Sequence, residues 1–181
     1  MYQMNASWKA TKYEKATPVV SVLIPAYQRT EKLIRLLDTI ALQDLPPHFY
    51  EVIVVDDAST DETAELEKIV TGINVIHNET PQRFIRACNA GAEQARGRYV
   101  ALLNNDVEVT AGWLDALIDA FDRFDNVGLA GSKLLNPDGT LQDAGGIVWG
   151  SGNPWNYGNA QNPHEPRFGY ARQADYLSGA A

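Results

Sequence analysis

The sequence predicts an α/β protein with a mixed, mainly parallel sheet and helices on both faces. Nearly continuous runs of β-branched and aliphatic residues, typical of strands buried on both faces, alternate with amphipathic segments of helical period. Short stretches rich in Pro, Gly, Asn and Asp separate these segments. Such alternation indicates βαβ units, in which consecutive strands run parallel.

The individual elements follow from the same pattern. Strands are predicted at 19–24, 51–55, 73–76, 98–103 and 127–131, and Pro25 is expected to end the first of them. Helices are predicted at 30–43, 59–70, 82–96 and 112–124. Thr30 is the expected N-cap of the first helix, and Ser59 with Glu62 forms a capping-box pattern at the second. Beyond Gly150 the sequence is typical of a loop.

Length and charge limit the classes of function. The chain has 181 residues and a net charge of −8, which suits one domain or one and a half and argues against nucleic acid as a partner. No apolar run reaches the roughly 18 residues of a transmembrane helix. Cys88 is the only cysteine, which excludes an internal disulfide and a cysteine-built zinc site. A cytoplasmic location is therefore expected.

Polar side chains follow three of the predicted strands at their carboxyl ends, where open α/β sheets bind ligands. They are Pro25-Ala26-Tyr27, Asp56-Asp57 and Asn104-Asn105-Asp106. An acidic edge of this kind repels an anionic ligand unless a cation intervenes. One carboxylate, phosphate oxygens and water are enough to hold Mg²⁺ or Mn²⁺. The pattern thus favours a phosphorylated ligand bridged by a metal ion.

A purely structural interpretation of these residues is also open. An Asp pair at a strand end often caps a helix or forms a turn, and Asn104-Asn105-Asp106 also suits a tight turn. Other site types are excluded more firmly. The sequence has no G-x-G-x-x-G after the first strand and no G-x-x-x-x-G-K-[ST], which argues against a Rossmann dinucleotide site and a P-loop. No Ser, His and Asp follow the strands as a hydrolase triad requires.

Three segments of the chain that include these strand ends resemble, in sequence, order and spacing, those of family-two glycosyltransferases, which have the GT-A fold. The matching segments are 20–27, 54–61 and 95–106, and the likeness extends over about 130 residues of the chain. The run 131–146 resembles a branch that contains bacterial rhamnosyltransferase-like enzymes of cell-surface polysaccharides. This resemblance implies a metal-assisted, inverting transfer of sugar from a UDP- or dTDP-sugar to a glycan or lipid-linked acceptor.

The resemblance also implies a role for each matching residue. Asp57 accepts from the imide N–H of the base, and Tyr27 lies against the ring. Pro25 and Ala26 supply backbone to the same pocket, and Asp56 supports either the loop or the ribose. The second acid of the D-x-D motif, which bridges Mn²⁺ or Mg²⁺ to the donor diphosphate, corresponds to Asp106, beside the donor-site residues Asn104 and Asn105.

The sequence departs from the family pattern at two places. The first D-x-D acid is replaced by Asn104, from which weaker or more donor-dependent metal binding is expected. The family's Glu-Asp motif, which supplies the acceptor-activating base, lies beyond a Ser-Gly-Ala segment, whereas this sequence stops at Ala181. The expected organisation is a leader at 1–17, a nucleotide-sugar-binding domain at 18–148, and a truncated acceptor-side region at 149–181. The base is therefore expected beyond Ala181, and Asp175 is only a weak candidate.

Several alternatives remain open from the sequence. Arg83 can reach a donor diphosphate or be a solvated helix charge, and Trp149, Trp155 and Tyr157 can stack on a sugar or cover a sheet edge. The missing base region suggests a nucleotide-sugar binding module without turnover as a second function. A receiver-like phosphoacceptor is disfavoured, because its acids follow the first and third strands. The resemblance leaves peripheral association with the inner face of the membrane open.

Overall fold

The computed structural model describes residues 17–46 and 48–179. These residues divide into two compact units, one up to Gly112 and the other from Trp113 to Gly179. The leader expected at 1–17 lies outside the described residues except for Thr17. The domain boundary expected at 148 stays a prediction.

The first unit is built on a four-stranded parallel sheet. Its strands are β1 (Val20–Ala26), β2 (Tyr50–Asp56), β3 (Asn74–His77) and β4 (Tyr99–Leu102), in the spatial order β3-β2-β1-β4. The connections contain α1 (Thr30–Ala41), a 3₁₀ segment at Glu62–Lys68 and α2 (Arg83–Gln94). β1 and β2 are the central strands of the sheet, and nearly every side chain in them is buried, as expected of strands that are covered on both faces. The predicted α/β class with a parallel sheet is confirmed.

The strand order assigns the helices to opposite faces of this sheet. The chain moves from β1 to β2 to β3 in one direction and then crosses back past β1 to β4. Since such crossovers are right-handed, α1 and the 3₁₀ segment cover one face and α2 covers the other. The α2 face forms a core cluster of Leu23, Ile53, Val55, Ala87 and Cys88. Cys88 is thus a core residue.

An ion pair between the buried carboxylate of Glu51 and the exposed side chain of Arg96 stabilises the amino edge of the sheet. Glu51 is 9% exposed, and its two carboxylate oxygens accept from the Ser21 hydroxyl (2.6 Å), Arg96 N–H (2.8 Å) and Arg96 Nε (2.8 Å). The Ser21 hydroxyl oxygen in turn accepts from Gly97 N–H at 2.9 Å. A Cβ at position 97 would meet the Ser21 backbone at 2.5 Å, so this approach requires glycine. The network holds the entry to β4 against β1 and β2.

The second unit contains α3 (Trp113–Arg123) and two antiparallel hairpins. β5 (Leu134–Leu135) pairs with β6 (Leu141–Asp143), and β7 (Gly146–Val148) pairs with β8 (Pro154–Asn156). The turn between the strands of the first hairpin lies at Asn136–Gly139, where Gly139 N–H donates to the Asn136 carbonyl at 2.9 Å. Asp143 is 2% exposed, and burial raises its pKa although its Oδ1 accepts from Gly145 N–H.

Several local predictions were wrong. Thr30 is the first residue of α1 and not its N-cap, which is Arg29 in a left-handed conformation. Residues 127–131 form no strand, and Pro154–Asn156 is a strand rather than a loop because it pairs with β7. β1 continues through Pro25, because β4 pairs with β1 only as far as Leu23 and no ladder bond is lost. The cap of the 3₁₀ segment is Asp61, whose side chain accepts from Thr63 N–H, because the hydroxyl of Ser59 is used elsewhere.

Candidate active site

The carboxyl edge of the parallel sheet brings together the loops that the sequence singled out. Because β1, β2 and β4 are parallel and adjacent, their loops 25–29, 56–59 and 103–106 emerge on one side. Asp57 N–H donates to the Ala26 carbonyl at 2.8 Å. Gln28 N–H donates to the Ser59 hydroxyl at 2.8 Å, and the Asn105 amide donates to the Gln28 carbonyl at 3.1 Å. The three loops therefore form one connected edge.

Asp57 ties the edge to the start of α2. Its Oδ1 accepts from the Asn78 amide at 2.8 Å and from Gln82 N–H at 2.7 Å, and its Oδ2 accepts from Arg83 N–H at 2.7 Å. Gln82 and Arg83 lie at the start of α2, where N–H groups have no partner within the helix. The carboxylate therefore caps α2 from another element, which agrees with the structural interpretation left open by the sequence.

This capping does not use up the acceptor capacity of Asp57. A carboxylate oxygen carries two lone pairs, so Oδ1 is filled by its two donors while Oδ2 keeps one for a ligand. Burial alone would raise the pKa of Asp57, but the hydrogen bonds from Gln82, Asn78 and Arg83 hold the pKa below its ordinary value. Asp57 is therefore an ionised acceptor near neutral pH.

Asp56, in contrast, has a side chain that is almost completely buried and bonded on both oxygens to groups of the protein. Its side chain is 3% exposed; Oδ1 accepts from Ser59 N–H at 3.0 Å, and Oδ2 pairs with His77 Nδ1 at 2.9 Å. The second ring nitrogen of His77 lies 2.8 Å from Glu67 Oε1. The bond to Asp56, together with Glu67, raises the pKa of His77 despite its partial burial. Of the two roles expected for Asp56, this geometry favours support of the loop.

Tyr27 is the exposed member of the β1 loop. Tyr27 is 53% exposed, whereas Ala26 is 1% exposed and Pro25 is half-buried. Pro25 pairs in register with Val55 of β2. A large aromatic ring left in solvent beside buried acids is available to lie against a flat ligand. The placement is compatible with the ring-stacking role that the resemblance implies.

Asp106 is paired with two basic side chains, Arg29 at the N-cap of α1 and Lys32 in its first turn. Its Oδ2 lies 3.0 Å from Arg29 Nη1 and 3.6 Å from Lys32 Nζ, and its side chain is 32% exposed. Asn104 and Asn105 are half-buried, and Asn105 and Asp106 form the turn that the sequence allowed. Asp106 therefore lies at the same edge as Asp57, next to a concentration of positive charge.

The side chains at this edge can hold a metal ion only if a ligand supplies most of the coordinating oxygens. Within residues 17–46 and 48–179, no group of three or more His, Cys, Asp or Glu side chains is arranged to hold a metal ion. Asp106 alone, with water and the oxygens of a bound diphosphate, is a donor set that Mg²⁺ and Mn²⁺ accept. The edge thus suits an ion that arrives with a phosphorylated ligand.

Backbone strain is concentrated at this edge. Among the described residues, six non-glycine residues have positive φ. Three of them lie in the edge loops, namely Gln28 (56°), Arg29 (64°) and Ala58 (62°), and a fourth, Arg83 (67°), begins α2 beside Asp57. Side chains rarely adopt this conformation unless the surroundings impose it, and such residues cluster at functional sites. At Arg83 the strain orients the backbone N–H toward Asp57, while the side chain is exposed.

Sequence reasoning missed the residues that organise this edge. His77 is the last residue of β3, and its ring pairs with Asp56 at the carboxyl end of the neighbouring strand β2. Arg29 and Lys32 pair with Asp106 across more than seventy positions. The only sequence signal for these two basic residues is their position. They follow β1, whose carboxyl end was already a candidate site. Asp175, the weak candidate base, is exposed, and its Oδ2 accepts from Val148 N–H at 2.8 Å.

Comparisons with known proteins place these residues in a family. The model of glycosyl transferase family 2 matches residues 21–176. The O-antigen biosynthesis protein RfbC of Myxococcus xanthus is 37% identical over 137 residues, which are 74% of this chain and 11% of that protein. The putative teichuronic acid biosynthesis glycosyltransferase TuaG of Bacillus subtilis is 33% identical over 131 residues, which are 70% of this chain and 51% of that protein. The chain thus spans from about a tenth to about half of these relatives.

Solved structures show the same fold. Staphylococcus aureus TarS 1-349 in complex with UDP-GlcNAc has a TM-score of 0.53 and 26% identity, over 64% of this chain and 40% of that one. The mannosyltransferase PcManGT from Pyrobaculum calidifontis in complex with GDP-Man and Mn²⁺ has a TM-score of 0.52 and 27% identity, over 68% and 37%. These likenesses confirm the expected GT-A fold. With a family match that covers most of its length, the chain belongs to glycosyl transferase family 2.

Proposed function

We propose that this chain carries the donor-binding part of a glycosyltransferase that uses a UDP- or dTDP-sugar and transfers the sugar, with inversion, to a glycan or lipid-linked acceptor. The observation that carries the proposal is the connected edge in which Asp57 keeps one acceptor site beside the loops of Tyr27 and Asp106. It is supported by the UDP-GlcNAc bound to TarS and the GDP-Man and Mn²⁺ bound to PcManGT.

The base and the diphosphate would be bound by different loops. Asp57 Oδ2 would accept from the imide N–H that uracil and thymine share, and Tyr27 would lie against the ring. Pro25 and Ala26 would border the base with their backbone. The diphosphate would lie toward Asn104, Asn105 and Asp106, and Asp106 would hold Mn²⁺ or Mg²⁺. When bound, such an ion supplies Lewis-acid stabilisation of the negative charge on the departing diphosphate.

In the proposed reaction, the acceptor hydroxyl oxygen forms a bond to the anomeric carbon while the bond from that carbon to the phosphate oxygen breaks. The electron pair leaves with the nucleoside diphosphate, and the hydroxyl proton passes to a base. The contribution of the described residues is to orient the donor and to compensate the charge that develops on the diphosphate.

Within residues 17–46 and 48–179, the structure contains no helix with the length and apolar character needed to cross a bilayer. We propose a cytoplasmic location for the site, where nucleotide sugars would be the donors. Peripheral association with the inner face of the membrane would bring the site to a lipid-linked acceptor.

Calorimetric titration of UDP, dTDP and CDP in the presence of Mg²⁺ tests the proposal. UDP and dTDP are expected to bind, and CDP, which lacks the imide N–H, to bind about tenfold more weakly. Tyr27→Ala and Asp106→Asn should each weaken UDP binding by about tenfold. Asp44→Asn is the matched control, because Asp44 is exposed in the connection that enters β2 from the opposite edge. Failure of the wild-type chain to bind either UDP or dTDP would refute the proposal.

A further inference from the structure

The pairing of Asp106 with Arg29 and Lys32 has a consequence for metal binding. Arg29 Nη1 and Lys32 Nζ both approach the same oxygen, Oδ2, at 3.0 and 3.6 Å. A divalent ion bound to that oxygen requires the space and the electron pairs that these cations occupy. A metal ion that binds Asp106 before any donor must therefore displace them from Oδ2 or, at Oδ1, bind against the repulsion of both positive charges.

Arg29 is positioned for this pairing by its backbone and not by a helix face. It is the N-cap of α1 and has left-handed dihedral angles (φ 64°, ψ 44°), directly after Gln28, which also has positive φ. Because the Gln28 N–H and carbonyl are hydrogen-bonded to Ser59 and Asn105, the loops after β2 and β4 hold the preceding residue in place. The side chain of Arg29 is 61% exposed, so its guanidinium can change partner without disturbing the core.

The bound ligand supplies the alternative partner. Each phosphate of a nucleoside diphosphate sugar carries negative charge, and the departing diphosphate gains more. Guanidinium groups form paired hydrogen bonds with phosphate oxygens, and ammonium groups bind them as point charges. Once a diphosphate lies at this edge, its oxygens replace the Asp106 carboxylate as the anionic partner of Arg29 and Lys32. The carboxylate then becomes available to a metal ion.

From these contacts we infer that Arg29, assisted by Lys32, is a positioning residue that couples metal binding to donor binding. This inference rests on the proposed function. Without a diphosphate, Arg29 occupies Asp106 and disfavours the metal ion. With a diphosphate, Arg29 moves to the phosphate oxygens and Asp106 accepts the ion. The exchange makes metal and donor bind together and compensates for the replacement of the first D-x-D acid by Asn104.

The test compares wild type, Arg29→Gln and Arg29→Lys. Mn²⁺ binding alone is followed by electron paramagnetic resonance, and UDP binding by calorimetry with and without Mn²⁺. Exposed ion pairs contribute little, so we expect Arg29→Gln to bind Mn²⁺ alone two- to fivefold more tightly and UDP with Mn²⁺ two- to fivefold more weakly. Arg29→Lys should retain most of the coupling, which a merely structural role of the residue would not require.

The outcomes separate this inference from the proposed function. If wild type binds UDP with Mn²⁺ but Arg29→Gln leaves both affinities unchanged, or shifts them in the same direction, the exchange is wrong and the donor site stands. If wild type binds no UDP under any condition, the proposed function fails and the inference fails with it. A melting temperature for Arg29→Gln within about 2 °C of wild type establishes that the fold is intact, as expected from an exposed pair.

Discussion

Replacement of Asp57 by asparagine tests both its structural role and its proposed role in binding, and two different measurements distinguish them. The carboxylate accepts three hydrogen bonds, from Asn78 (2.8 Å), Gln82 N–H (2.7 Å) and Arg83 N–H (2.7 Å). In Asp57→Asn the side-chain oxygen is best placed at Oδ1, where it keeps two donors. The amide nitrogen then faces Arg83 N–H, so one charge-assisted hydrogen bond is replaced by two opposed donors.

The loss of one such bond at a residue that is 7% exposed destabilises the fold by about 2 kcal/mol. For a chain of 181 residues this corresponds to a melting temperature about 4–8 °C lower at pH 7. The pKa of Asp57 is lowered in the folded state, so its stabilisation is complete above the unfolded pKa and is lost as the pH falls through the folded pKa. The difference between wild type and Asp57→Asn should therefore shrink toward acid pH.

Thermal unfolding followed by circular dichroism between pH 7 and pH 3 measures this difference, with Asp44→Asn as the exposed control. Calorimetry on the same Asp57→Asn protein measures the second role. The amide now donates where the carboxylate accepted, so UDP binding should weaken by at least about tenfold while CDP binding does not. A melting temperature within 1 °C of wild type at pH 7 would refute the helix-capping role of Asp57.

Three further predictions concern stability. Glu51→Gln should lower the melting temperature by about 4–8 °C at pH 7 and less toward acid pH, since the hydrogen bonds from Ser21 and Arg96 lower the Glu51 pKa against burial; an unchanged melting curve contradicts this. Arg83→Gly should leave the melting temperature unchanged or slightly higher, because glycine adopts φ 67° without strain; a decrease above about 3 °C would overturn it. Asp143→Asn should stabilise the fold at neutral pH, because a buried charge is removed and the acceptor for Gly145 N–H is kept; chemical denaturation should show the gain vanishing below the unfolded pKa, and a loss at pH 7 would oppose it.

The sheet was predictable because its two central strands are buried on both faces. The runs 20–24 and 51–55 are apolar enough to identify themselves, and the helices between them have clear periodicity. The weaker elements were not predictable from local sequence. Residues 127–131 have strand-like composition but no pairing partner, whereas Pro154–Asn156 has poor strand composition and pairs with β7. Pairing in two-stranded ribbons depends on tertiary context more than on propensity.

The position of the candidate site was predictable for a similar reason, but its contacts were not. Parallel strands bring their carboxyl ends together, so Tyr27, Asp57 and Asp106 were expected at one edge without knowledge of coordinates. The donors to Asp57 lie more than twenty positions away, and Arg29 pairs with Asp106 over seventy-seven. These contacts depend on how each loop leaves its strand, including the left-handed residues at 28, 29 and 83. No local pattern in the sequence specifies those dihedral angles.

The central claim is that the carboxyl edge of this sheet binds a nucleoside diphosphate. Backbone amide resonances of the isotopically labelled chain, titrated with UDP and Mg²⁺, test this claim residue by residue. The account predicts saturable shifts at residues 26–29, 57–59, 82–84 and 104–106, and none at Glu51, Arg96 or Gly97 of the opposite edge. Shifts confined to that opposite edge or to the second unit, or no shifts at millimolar UDP, would contradict the account.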